Sequence, residues 1–287
     1  MMPQSARSLL ACLPALGLVA LLAGPAQAQP ASAAVSPWAE GHRSRVRLMA
    51  GTIEHGTLRA GVEIDLNDGW KTYWRYPGDS GVPPQFDFSR SENVARVEVL
   101  WPAPRAFSDG SGTSIGYRHN VVFPLRVTPR DPAKPVTLRL ALDYAVCEKL
   151  CVPEQARAEL PPGAGDSAVD SGLKAAEARV PAKAEIGAEG LPAVRAVREM
   201  AAKDRPRVMV EVAAPAGVST EVFAEGPSSD WALPLPTPQP QMQVSGNTRT
   251  FSFDIDGVPA GASAKGAMLT LTVVAGDRAI EVPARLD

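Results

Sequence analysis

The chain has 287 residues, 45% of them hydrophobic and 21% charged, with a formal net charge of −2 at pH 7. So even a balance excludes the basic surface that nucleic acid or an anionic lipid face requires. There are only three cysteines, so each one calls for a reason.

The first 28 residues contain one charge, Arg7, followed by the apolar run LLACLPALGLVALLAG and the small-residue site Ala26-Gln27-Ala28. This pattern predicts a signal peptide over residues 1–28, cleaved after Ala28, and a periplasmic protein. Pro14 and Gly17 interrupt an apolar run already too short for a membrane span. Cys12 falls inside the signal; reading LLAC as a lipoprotein acceptor fits poorly, because the apolar run follows that cysteine. Only Cys147 and Cys151 then remain, in an oxidising compartment where a cysteine pair normally forms a disulfide at some stage. No later apolar stretch is long enough to span a membrane, so the mature chain is expected not to be membrane-inserted.

Beyond the signal the hydrophobic period is two. GVEIDL, VVFPLRV and TLRLALDYAV in the first half, and RVMVEVAA, RTFSFDID and MLTLTVVAG in the second, alternate as half-buried strands do. The frequent prolines suit antiparallel sheets and oppose a βαβ alternation. Between the halves, residues 161–204 are rich in Ala, Gly, Pro and charge, with no aromatic residue. They read as a linker, with short helices expected at 170–179 and 191–202. The predicted architecture is all-β: a β-sandwich over 36–160, the partly helical linker over 161–204, and a second β-sandwich over 205–287. The second sandwich has no cysteine, histidine or clustered carboxylate pair of obvious use. It is expected to be dispensable for chemistry.

GWKTYWRYPGDSGVPP, residues 69–84, is a strand followed by a loop punctuated with Gly and Pro. Alternation puts Trp70, Thr72, Trp74 and Tyr76 on one face and Lys71, Tyr73 and Arg75 on the other. Trp70 and Trp74 read as core; the loop is of the kind that carries binding sites and lids. Further on, TLRLALDYAV runs into Cys147, Glu148-Lys149-Leu150 make a three-residue loop, and Cys151 opens the next strand. The cysteines therefore bracket a hairpin turn, at a cross-strand spacing that a disulfide tolerates. From spacing alone, a structural staple and a redox pair stand on equal footing. Zinc is disfavoured because two thiolates need two more ligands, and His42, His55 and His119 are scattered singly.

The segments GWKTYWRYPGDSGVP, IGYRHNVVFPL and DYAVCEKLCVPEQARAEL, in this order and spacing, resemble the N-terminal periplasmic domain of the DsbD/ScsB group of thiol:disulfide interchange proteins. The resemblance covers roughly residues 38–160. The remainder is similar only loosely, as the second sandwich found in the ScsB branch. It implies an immunoglobulin-like fold, Cys147 and Cys151 as a redox-active pair, no cofactor, and a protein-disulfide oxidoreductase that passes electrons to thioredoxin-like periplasmic partners. Tyr73, Tyr117 and Tyr144, by their place in these motifs, are expected to shield the pair. The cysteines lie closer together than in the DsbD type, and no membrane relay follows within these 287 residues. A separately encoded membrane electron donor is therefore expected.

Two other classes remain open at this point. Two thiolates four residues apart suit soft Cu(I), with His119 or Met242 as a third ligand. The alternative is a non-catalytic assembly module in which the disulfide is purely structural.

Overall fold

Alternation in the sequence becomes two stacked pairs of predominantly antiparallel sheets. The computed structural model describes residues 34–78, 81–108, 112–200, 205–240 and 246–286; the signal-peptide segment and Met242 lie outside these. The first half contributes β1 (Ala39–Glu40), β2 (Ser44–Glu54), β3 (Thr57–Leu66), β4 (Lys71–Gly78), β5 (Gln85–Asp87), β6 (Val94–Val99), β7 (Arg105–Ser108), β8 (Thr113–Arg118), β9 (Asn120–Pro129), β10 (Leu138–Cys147) and β11 (Cys151–Leu160). One helix follows, α1 (Asp170–Glu177). The second half contributes β12 (Ala182–Lys183), β13 (Ala193–Met200), β14 (Arg207–Ala213), β15 (Thr220–Glu225), β16 (Thr237–Pro238), β17 (Thr248–Asp254), β18 (Met268–Ala275) and β19 (Arg278–Arg285).

In the first sandwich the sheet β1-β2-β3-β9-β6 faces the sheet β11-β10-β4-β8-β7, with β5 joining β10. The fold is all-β, as the strand pattern predicts, and immunoglobulin-like, as the family resemblance implies. Inward positions of β3, β9 and β10 supply Val62, Ile64, Phe123, Leu125, Leu138 and Leu142, all essentially sealed from solvent. Phe123 sits at the centre, with the rings of Phe86, Trp101 and Tyr117 edge-on at 5.2, 5.2 and 5.3 Å. In the second sandwich the sheets are β12-β19-β18-β15 and β13-β14-β17-β16, closed over Val208, Val210, Val212, Phe251, Leu271 and Val282. No helix among the described residues is long and apolar enough to cross a membrane.

Residues 161–200 are built into both sandwiches. Helix α1 forms where the first of the two short helices is expected, and it is docked, because Leu173 is fully buried against β2 and β3. A Cβ on Gly61 would stand 2.7 Å from Leu173 Cδ2, so the missing side chain leaves the space that Leu173 fills. The Asp170 carboxylate fixes the start of the helix, accepting from the Thr52 amide at 2.9 Å and the Thr52 hydroxyl at 2.7 Å. The second expected helix, at 191–202, is instead strand β13, paired with β14 from Ala193↔Ala213 to Met200↔Arg207. Its Ala, Arg, Glu and Met content favours a helix in isolation, but the ladder with β14, bulged between Val194 and Ala196, overrides that preference.

The sandwiches also meet directly. Phe223 and Val274 of the second join the core of the first, with the Phe223 ring 5.8 Å from Trp74. Arg75 donates to Glu225 through two bonds of 2.8 and 2.7 Å and to Glu281 at 2.6 Å, while Arg105 reaches Glu221 and the Gly276 carbonyl. Burial works to raise the Glu281 carboxyl. Hydrogen bonds from Lys183 and Arg75, with their charges, outweigh it and hold the group below the usual carboxylate range.

Two outcomes follow from this packing. Leu173→Ala is expected to lower unfolding free energy by about 2 to 4 kcal/mol in urea titrations, as for a large-to-small change at a filled site. Because the folded Glu281 carboxyl is depressed, its stabilisation is complete above the unfolded value of about 4.3 and is lost as pH falls through the folded value. Melting curves of wild type and Glu281→Gln should therefore differ at pH 7 and converge as the pH falls below about 4.

Candidate functional site

The β10–β11 ladder runs in register from Leu138↔Leu160 to Cys147↔Cys151, and the three-residue loop places the cysteines opposite one another at its end. They form a disulfide, with S–S 2.06 Å and Cα–Cα 4.2 Å. On its other side Cys147 lies opposite Lys71 of β4. Opposed residues share a face, so Lys71, Cys147 and Cys151 lie on one side of the sheet while Thr72 and Val146 face the core on the other. The two sulfurs differ in exposure: Cys147 is 2% exposed, whereas Cys151, next to the projecting Leu150, is exposed.

Tyr73 accounts for the difference. It is 1% exposed and packs with Ala145 and Cys147 in a small cluster separate from the main core. Its hydroxyl lies 2.7 Å from Cys147 Sγ and 3.1 Å from Cys151 Sγ. Disulfide sulfur carries no hydrogen, so the phenol donates. The loop after β4 returns over the ring at Gly81, whose φ is +148°. A Cβ there would lie 2.4 Å from Tyr73 Cε1, so only glycine permits this approach.

The other residues singled out in the sequence lie elsewhere. Tyr117 faces the core and donates to the Pro102 carbonyl at 2.8 Å, and burial holds its phenol well above the usual range. Tyr144 also faces inward: its hydroxyl donates to Glu154 Oε2 at 2.9 Å and lies 2.7 Å from Ser44 Oγ. Burial raises its phenol, the Ser44 bond works against this, and the Glu154 charge adds to it. Neither tyrosine covers the disulfide, and the reason is parity. Tyr144 stands an odd number of residues before Cys147, and Tyr117 lies opposite Thr72 and not Tyr73. His119 sits in the β8–β9 turn with φ 63°. Among the described residues no group of three or more His, Cys, Asp or Glu side chains is arranged to hold a metal, so His119 does not complete a site with the cysteines.

Sequence reasoning missed Glu154. It is 6% exposed and accepts from the Arg43 amide at 2.8 Å, from Ser44 at 2.5 Å and from Tyr144, tying the start of β2 to the cysteine hairpin. A lone glutamate at an inward position of β11 gives no sequence signal of the partners it meets. Only its cross-strand partner Tyr144, on an inward position, hints at it.

Residues 44–162 match the family described as thiol:disulfide interchange protein DsbD, N-terminal. The fold is that of the N-terminal periplasmic domain of ScsB from Proteus mirabilis, whose crystal structure matches with a TM-score of 0.68 and 22% identity, over 88% of this chain and 98% of that one. No curated protein matches the chain. The resemblance read from the three motifs is thus shown, by a family match over residues 44–162 and by likeness of fold.

The geometry separates structural from site residues. Glu154→Ala strands two buried hydroxyls and one backbone amide and should cost about 2 to 4 kcal/mol in chemical denaturation. Its network lies on the face away from Cys147 and Cys151. The rate at which dithiothreitol reduces the folded protein should therefore remain at the wild-type value.

Proposed function

We propose that this chain is a periplasmic protein-disulfide oxidoreductase, which takes electrons from a separately encoded membrane donor and passes them to thioredoxin-like partners through Cys147 and Cys151. The observation that carries the reading is the asymmetry of the pair: one sulfur is open beside an exposed apolar residue, and the other is buried under a hydrogen-bond donor.

The chemistry follows from that asymmetry. A partner's thiolate attacks Cys151 Sγ, a mixed disulfide forms, and the Cys147–Cys151 bond breaks with its electron pair on Cys147 Sγ. The Tyr73 hydroxyl, already 2.7 Å away, donates to the emerging thiolate and lowers the cost of forming a buried anion. A second partner thiolate then releases the protein as a dithiol. In the opposite direction the dithiol reduces an oxidised partner by the same steps reversed. No helix N-terminus acidifies either thiol, so the activated thiolate is supplied by the partner. No cofactor takes part, because the electrons travel as sulfur–sulfur bonds. Leu150, 79% exposed at the hairpin tip, is an apolar contact for the partner beside the attacked sulfur.

Trapping tests this assignment. With a thioredoxin-like partner that lacks its resolving cysteine and carries a thionitrobenzoate leaving group on the other, Cys147→Ala should accumulate a mixed disulfide through Cys151 as thionitrobenzoate departs, and Cys151→Ala should accumulate little. Equal trapping by both variants, or none by either beside a wild type that never exchanges, would overturn the reading. Tyr73→Phe keeps the ring but removes the donor. It should slow partner-driven opening by about tenfold, the equivalent of one hydrogen bond to a charged group. Closing so short a loop stabilises the fold by only about 2 kcal/mol in the chain-entropy model, so the double Cys→Ala variant should remain folded.

A further inference from the structure

Strand β4 is held in two different ways along its length. From Lys71 to Tyr73 it is laddered, to β10 at Lys71 and Thr72 and to β8 through Lys71↔Arg118, Thr72↔Tyr117 and Tyr73↔Gly116. After Tyr73 the β10 ladder has ended and the register with β8 is interrupted until Gly78↔Ser114. The side chains of this interrupted stretch turn to the second sandwich. Trp74 meets Phe223, Arg75 grips Glu225 and Glu281, and the Tyr76 hydroxyl donates to the Leu233 carbonyl at 2.6 Å. The stretch lies between Tyr73, which touches both sulfurs, and Gly81, whose backbone lies on the Tyr73 ring.

We infer that Arg75, clamped by Glu225 and Glu281 of the second sandwich, is a positioning residue that holds the Tyr73 hydroxyl against Cys147 Sγ and thereby sets how readily the Cys147–Cys151 bond opens. The second sandwich is then a working part of the redox site, although among the described residues it contributes no atom that touches sulfur. The inference rests on reading Tyr73 as the donor to the departing Cys147 sulfur.

The clamp is well made for this task. The guanidinium offers Nε and Nη2 to one carboxylate in a fork and a further bond to the other, a geometry that lysine cannot reproduce. The three side chains are 28%, 15% and 12% exposed, so solvent screens them weakly. The Arg75 guanidinium also stacks 4.6 Å from the Trp74 ring centroid, which joins the ion pairs to the apolar contact with Phe223. Without Arg75, Glu225 would lose its guanidinium fork, and Glu281, left with Lys183 alone, would face it as a second carboxylate. They would repel the contact they now close.

The test measures reduction of the folded, oxidised full-length protein by dithiothreitol, which needs no partner, beside circular dichroism as the check on fold. Arg75→Met should slow reduction by about tenfold, the same loss as removing the Tyr73 donor and a coupling of ~1.4 kcal/mol between clamp and phenol. In a Tyr73→Phe background, where no donor remains to be positioned, the same substitution should change the rate by less than about twofold. If Arg75 merely stabilised the fold, its loss would accelerate reduction equally in both backgrounds, and that result would overturn the inference, as would a wild-type rate for Arg75→Met with Tyr73 present. Glu225→Gln and Glu281→Gln weaken the clamp from the other side and keep the test decisive if Arg75→Met does not fold. Each should slow reduction in a Tyr73-dependent way, and the absence of slowing in both would count against the clamp. Failure of partner exchange alongside Tyr73-dependent slowing would sink the oxidoreductase reading and leave the clamp standing.

Discussion

A β-strand has two faces, and in β4 each face is committed to a different task. One face puts Trp74 into the shared core, completely buried, where its indole Nε1 has no hydrogen-bond partner. The other puts Tyr73 against two sulfurs. Because successive side chains must point in opposite directions, neither residue can shift without moving the other. The position of the phenol over the disulfide is therefore fixed by how deeply the neighbouring indole is seated. That in turn depends on Phe223, a residue 150 positions further along the chain.

The same two-residue period decides what is legible in the sequence. It gives the strands, the all-β class and the opposite orientation of Trp74 and Tyr73, and it puts the cysteines at the two ends of one hairpin. Applied consistently to β10, it also removes Tyr144 from the disulfide face, since Tyr144 and Val146 share a side and Cys147 does not. Motif membership alone draws Tyr144 and Tyr117 toward the cysteines; alternation separates them. What the sequence does not disclose are contacts whose partners are distant and individually ordinary. Arg75, Glu225 and Glu281 are three charged residues among many, and nothing local marks them as a cluster. Glu154 is similar: its burial is visible only once Ser44 and Tyr144 have been brought to it.

Composition misleads most in residues 161–204. Poor in large apolar side chains, the segment resembles a tether, yet Leu173 fills a space left by glycines in β2 and β3, and β12 and β13 complete sheets begun elsewhere. A segment needs no core of its own when it borrows two. The two sandwiches share apolar surface in the same way, with Phe223 and Val274 packed into the core of the first.

The register of the β10–β11 hairpin has a kinetic side. Its ladder from Leu138↔Leu160 onward does not depend on the sulfur–sulfur bond at its end, so an opened pair remains face to face across one hairpin rung. While a partner's sulfur is bonded to the outer cysteine, the inner thiol is the nearest nucleophile to that bond, at an effective concentration that no freely diffusing thiol matches. Reclosure is a unimolecular event, and any adduct on the outer sulfur is brief unless the inner one is occupied with a proton or a donor. Such a hairpin suits rapid hand-off rather than storage of a captured partner.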